Sequence, residues 1–471
     1  MRLVPVLAVL LASSALHGLA HAEDCSSRRP TDSGGVRGYA YGTAKVDSFA
    51  TEHIRVWYTI EGTHSVRSAS SRGDQVPDDV ALAATITEDA YARYGQMKFK
   101  TPVSDATHPA CVTNGGDGKL DVYLMHFTAA DGQTVPEQCK GSPKVCSGFI
   151  LADSRFQHYK TFEEGVRTVL PHELFHAVQN AYEGEMDSYW SEGSAQWAAK
   201  TLAPSLKDLE SFLPVFFNEP SRSIDTPPGG SAAAYLYATA IWPVFLGERF
   251  DADIIREVLE AQGKTHVPAM DAVASVLVNR KSSLAVEYPT FVVWNTATNV
   301  RAGAGGYANA ASYPKLPVEE FPAEGTVKGI TAGYSSGIYH VTSDHPVEYF
   351  VDTDGERNQA MLVPLRGGIT QVAEAKTLPA VLNGEGFVVV TGVTAKKSDA
   401  PYTLSTRAPS AAPDGGTPSS SGGASAEEGG CSAGGTSGRA SGALAWLGLL
   451  GLALGYTVSR RSSKRTTSAS S

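Results

Sequence analysis

Residues 169–183 read VLPHELFHAVQNAYE and place His172 and His176 four apart, with Glu173 between them. On an α-helix, side chains at that spacing project from one face, so both imidazoles come within reach of one ion. Neutral imidazole is a normal zinc ligand, and zinc brings the pKa of a bound water toward about 7. Glu173, one residue past the first histidine, is close enough to take that water's proton without itself being a ligand. With 12 histidines in 471 residues, an H-E-x-x-H arises by chance in roughly one chain in a hundred. The neighbours argue against chance. Val166, Val169, Leu170, Phe175, Ala177 and Val178 make the segment apolar enough to be buried, where two unpartnered histidines would be costly. The period predicts an amphipathic helix over 161–183.

A catalytic zinc needs a third protein ligand and an open fourth position. The metzincin continuation would put glycine and histidine three and six residues after His176, where Gln179 and Tyr182 stand. The next histidine along the chain, His266, is remote. A following segment, SYWSEGSAQWAAK, offers Glu192 at the start of a second predicted helix. HELFH followed by W-S-E-G-S-A-Q-W resembles the gluzincins, which use H-E-x-x-H and then a glutamate. Glu192-Gly193-Ser194-Ala195 has the form of the E-G-F-A-like segment of their aminopeptidase branch. The spacing is slightly shorter, and the Asn-Glu-x-x-x-Ser-Asp of thermolysin is absent. Across roughly residues 40–300 the chain is also similar to a family of secreted bacterial metalloproteases that share "VPDDV", "GGDGKLDVY", H-E-x-x-H and W-x-E-G. The resemblance implies His172, His176 and Glu192 as Zn2+ ligands, Glu173 as general base and a polypeptide as substrate. It further implies a phenol or imidazole that stabilises the oxyanion. AAAYLYATAIW supplies Tyr235 and Tyr237, which point about 200° apart on a helix, so at most one faces the metal.

Outward from the zinc helix, the predicted class is α+β. A mixed sheet occupies 40–160, with strands at "HIRVWYTI", 115–127 and 147–154 and a helix in "DQVPDDVALAATITEDAYARYGQM". A helical part follows over 186–300, with helices at 190–202, 231–248, 251–261, 268–280 and 283–297. In the families it resembles, an edge strand pairs with extended peptide, and "DVYLMHF" is the candidate here. Together 23–310 form the metalloprotease-like domain. Residues 311–407 change to short β-rich runs separated by Gly, Asp and Asn turns, an accessory all-β domain in the form of a small sandwich.

The two ends read as addresses. Residues 1–22, with Arg2, an apolar run and the A-x-A ending at Ala22, have the form of a secretory signal peptide. Residues 408–441 are a Gly/Ser/Pro-rich tether. An uncharged apolar stretch follows at 442–458, at the lower limit for a membrane span, and a basic tail at 459–471. Cys431-Ser-Ala-Gly-Gly, the apolar stretch and the arginines resemble the myxococcal C-terminal sorting domain. That resemblance implies a processing protease acting near Cys431, lipid at that cysteine, and display at the cell surface. Export suits the cysteines, of which Cys139 would pair with Cys146 across KGSPKV and Cys25 with Cys111.

A net charge of −10 argues against nucleic acid as a partner. Gly333–Gly337 matches G-x-S-x-G, but a strand-like run follows it where a helix is required, so a hairpin turn is expected. Asp117 and Asp121 in NGGDGKLD lack the alternating oxygen ligands of a calcium loop, and a turn is preferred. A competing class is a surface adhesin whose zinc helix is vestigial or structural. A structural site needs ligands and no base, so Glu173 favours catalysis.

Overall fold

The computed structural model describes residues 28–128, 130–229, 233–353, 357–394 and 399–409. The architecture is α+β, with two sheets and a helical layer. The expected signal peptide, the tether from 410, Cys431, the apolar stretch and the basic tail lie outside the described residues. Among the described residues no helix is long and apolar enough to cross a membrane.

The first sheet comprises β1 (Asp47–Ala50), β2 (Ile54–Tyr58), β3 (Leu120–Met125), β4 (Gly132–Lys140) and β5 (Val145–Asp153), in the order β1-β2-β3-β5-β4. Helix α1 (Asp78–Gln96) connects β2 to β3, which are parallel, as a crossover requires. β3 is inner and buried along its whole length, because Leu120, Val122 and Leu124 face the helices while Tyr123 and Met125 pack under the N-terminal Tyr39 and Tyr41. This corrects the expectation that "DVYLMHF" forms the edge. A strand buried on both faces reads as a continuous apolar run and belongs inside a sheet. The edge on the zinc-helix side is β4, whose polar sequence GQTVPEQCK hides its strand character.

Helix α2 (Phe162–Asn180) carries the HELFH motif. Its start is fixed by Thr161, whose hydroxyl accepts from the Glu164 amide at 3.1 Å, a cap of the kind that contributes about 1 kcal/mol. Val166, Leu170, Leu174 and Phe175 are almost fully buried, and each such side chain contributes about 1.5–3 kcal/mol.

The helical layer continues with α3 (Ser188–Leu202), α4 (Asp208–Phe217), α5 (Ala233–Ala238), α6 (Ile241–Arg249), α7 (Asp253–Thr265), α8 (Ala269–Asn279) and α9 (Leu284–Thr296). The predicted helix over 231–248 is two helices. Pro243 has no N–H for the carbonyl of Thr239, and its ring crowds that carbonyl, so the chain turns at 239–240. Helix α4 has no counterpart in the sequence expectations.

The second sheet is built from β6 (Glu319–Glu320), β7 (Thr326–Thr331), β8 (Ser336–Thr353), β9 (Asn358–Arg366), β10 (Ile369–Thr370), β11 (Lys376–Thr377), β12 (Ala380–Gly392) and β13 (Ala400–Arg407). Its main path runs β10-β9-β12-β8-β13-β7 as one continuous sheet, where two stacked sheets were expected. Along β12 the side chains alternate. Phe387 and Val389 join the buried cluster of the helical layer, while Val388 and Val390 pack with Tyr339, Tyr402 and Leu404 in a cluster of their own. The Gly333–Gly337 segment is a turn leading into β8, as expected, and no helix follows it. Cys139 and Cys146 are bonded as expected. Cys111 is also in a disulfide, and its expected partner Cys25 lies outside the described residues.

Candidate metal centre

Helices α2 and α3 bring His172, His176 and Glu192 to one point. His172 Nε2 lies 3.1 Å from His176 Nε2 and 3.1 Å from Glu192 Oε2, and His176 Nε2 lies 3.3 Å from the same oxygen. A tetrahedral ion with bonds of about 2.0–2.1 Å would set its ligand atoms about 3.3–3.4 Å apart, so the triangle fits zinc closely. Among the described residues the group offers three protein ligands, which leaves the fourth position to water or substrate.

The close approach of α3 depends on Gly193. A Cβ there would lie 2.6 Å from Thr239 Oγ1 and 3.2 Å from the Ala240 amide nitrogen, so any other residue would push the Glu192 turn of α3 away from the 239–240 turn that leads from α5 to α6. The histidine tautomer is set from behind. His176 Nδ1 is 2.7 Å from Gln179 Oε1, and the Gln179 amide donates in turn to the Ser191 carbonyl at 2.8 Å and to Ser194 Oγ at 2.9 Å. An Nδ1–H donated to that carbonyl oxygen leaves the Nε2 lone pair facing the site. Gln179 was met in the sequence only as the residue that breaks the metzincin pattern. Its role is visible once α3 is in place.

Glu173, one residue past His172, points from the site toward the sheet edge and lies near enough for its charge to act on both His176 and Tyr237. The Thr134 hydroxyl on β4 is 2.8 Å from Glu173 Oε2 and 2.6 Å from its carbonyl oxygen. Gly132 makes room, since a Cβ there would meet Val169 Cγ1 at 2.5 Å and Glu173 Cγ at 2.8 Å. Neither residue could be found from the sequence, because β4 itself could not.

The two tyrosines separate as helix geometry demands. The Tyr237 ring lies edge-on to His172, with centroids 5.5 Å apart. Tyr235 points into the core against Phe216, its hydroxyl 3.4 Å from the Ser223 carbonyl, and does not reach the site. Burial, then the charges of Glu192 and Glu173, push the Tyr237 phenol well above its usual range, so it stays protonated. Two further acids face this cleft, Asp208 on α4 and Asp131 just before β4, and both act on Tyr237 and on Tyr159. Burial raises the Asp208 carboxyl, which accepts from Gln196 Nε2 at 3.0 Å.

In the metal-free protein, burial is the largest influence on His176 and lowers it. The Glu192 carboxylate and its hydrogen bond, with Glu173 behind, outweigh burial and raise the imidazole to about 9. Glu192 is likewise opposed by burial and held well below the carboxylate range by the two histidines.

No family model and no curated protein matches the chain. Among solved structures, aminopeptidase A of Legionella pneumophila in complex with aspartic acid aligns at 12% identity and a TM-score of 0.34. The alignment covers 76% of this chain and 37% of that one, so the chain spans well under half of that protein. A superposition at that score decides nothing about function, which is argued from the side chains alone.

Proposed function

We propose that the protein is a zinc metallopeptidase of gluzincin type, exported and held at the cell surface. The observation that carries this reading is the triangle of His172 Nε2, His176 Nε2 and Glu192 Oε2, with Glu173 beside it on the sheet-edge side. His172, His176 and Glu192 would hold the ion, which when bound supplies a Lewis acid and an acidified water.

The chain's own residues supply the rest. Glu173 accepts a proton from the attacking water and delivers it to the leaving amine. Thr134 fixes the rotamer of Glu173, so the carboxylate is aimed before substrate arrives. The Tyr237 hydroxyl, kept protonated, donates to the oxyanion of the tetrahedral intermediate. An extended polypeptide adds to β4 as the outer strand, with its scissile bond carried past Glu173. A site that served structure alone would have no use for a carboxylate held at Glu173.

Export rests on the N-terminal signal-like segment, and surface attachment on the C-terminal sorting-like segment with processing near Cys431. Metal removal tests the activity. The purified protein is expected to cleave a denatured protein substrate, to lose that activity on dialysis against a chelator, and to regain it with Zn2+. Cleavage that survives complete removal of metal would refute the reading.

A further inference from the structure

A second group of ligand-type side chains lies on the far part of the β4 edge, apart from the centre on α2. One donor atom each from Asp105, His108 and Glu137 lies within 4.8 Å of the others. Asp105 and His108 belong to one turn, closed by the His108 amide donating to the Asp105 carbonyl at 2.9 Å. Glu137 is on β4 where its register with β5 shifts, between Pro136 and Cys139.

Arg29 is buried at the same place and does not satisfy the group. It donates to Asp105 Oδ2 at 2.6 Å, to Glu137 Oε1 and Oε2 at 3.1 and 2.6 Å, and to Asp121 Oδ2. Asp105 Oδ1 is left buried without a partner, on a side chain only 3% exposed. His108 Nδ1 is also buried without a partner. Its other nitrogen, Nε2, is 2.6 Å from Ser147 Oγ. An Nε2–H donated to that hydroxyl leaves a lone pair on Nδ1, which is how ligating imidazoles are oriented. A buried oxygen and a buried nitrogen left unpaired in one turn each cost about 1–3 kcal/mol.

Charge points the same way. Three carboxylates, Asp105, Asp121 and Glu137, share one guanidinium, an excess of two negative charges in a buried place. Nearby Lys140 and Asp32 offset one another.

We propose that Asp105, His108 and Glu137 form a second, structural divalent-cation site that clamps the 105–108 turn to the far half of the edge strand. One imidazole with two carboxylates suits Zn2+ or Mn2+ and not the all-oxygen preference of Ca2+. A divalent ion cancels the excess of two charges and gives both orphaned atoms a partner.

The test uses the intact chain, equilibrated with Zn2+, freed of excess by gel filtration, and counted by elemental analysis. Wild type is expected to carry about two equivalents, His108→Gln about one, and His176→Ala/Glu192→Ala about one. Combining the three substitutions should leave none. Glutamine at 108 keeps a donor for Ser147, so the fold should survive. The melting temperature of His176→Ala/Glu192→Ala should rise with Zn2+, and that rise should vanish when His108→Gln is added. The proposal is overturned if His176→Ala/Glu192→Ala binds no Zn2+ and its melting is indifferent to the ion. It is equally overturned if wild type and His108→Gln carry the same amount. Failure of the α2 centre would look different, as one equivalent lost with His108→Gln and kept in His176→Ala/Glu192→Ala.

Discussion

At the scale of the residue, the centre on α2 separates groups that the sequence could only set side by side. Tyr235 and Tyr237 were equal candidates, and the helix gives Tyr237 to His172 and Tyr235 to the core. Tyr237→Phe removes one oxyanion donor and should lower kcat by about 10²–10³ with little change in KM. Tyr235→Phe should leave kcat near wild type, since its hydroxyl makes only a long contact with a backbone carbonyl. Steady-state kinetics on one peptide compares the two. Protonation gives a second expectation. In the metal-free protein His176 is raised to about 9, so it carries a proton throughout the neutral range, and an incoming ion must displace it. Zinc affinity should therefore strengthen about tenfold per pH unit as pH rises toward 9, and level off above it. Chelator competition at several pH values would show the slope, and a flat profile would mean that His176 is not a ligand.

At the scale of the element, what could be read from the sequence followed the strength of the local pattern. α2 has a capping Thr161, an apolar face and a motif with its own spacing, so its place and the grouping of His172 with His176 were legible. Glu192 was singled out through W-S-E-G, and the adjacent Gly193 lets α3 pack closely on the 239–240 turn. β4 was not legible. Its residues are polar because an edge strand meets solvent, and its register shifts near Pro136, so neither alternation nor β-propensity marks it. The same blindness put "DVYLMHF" at the edge, because a run buried on both faces shows no period that tells inner from outer. The missing α4 and the split of α5 from α6 depend on tertiary contacts and on Pro243. The role of β4 can be tested at Gly132. Gly132→Val would drive methyl groups into Val169 and the Glu173 side chain, already 2.5 and 2.8 Å from the first added atom. We expect hydrolysis to fall at least tenfold while bound zinc is retained, because the added side chain meets Glu173 and Val169 and none of the three proposed ligands. Metal analysis beside a rate measurement checks this.

At the scale of the whole molecule, the helical layer and the β-rich part are packed on one another. Ile338, Val363, Phe387 and Val389 belong to the same buried cluster as α2 and α9. The contact is tied by hydrogen bonds from the Tyr288 hydroxyl and the Ile224 amide to the Tyr334 carbonyl, at 2.5 and 3.0 Å. The β-rich part thus buttresses the helices that hold Tyr237 and Glu192, and its separate function as an accessory domain stays a proposal. Hydrolysis at the proposed centre requires Glu173 as a base that is not a ligand. The most direct measurement compares Glu173→Gln with wild type for bound zinc and for cleavage of a denatured protein. We expect unchanged zinc and a rate lower by about 10²–10⁴. A variant that keeps its zinc and cleaves as fast as wild type would contradict the account.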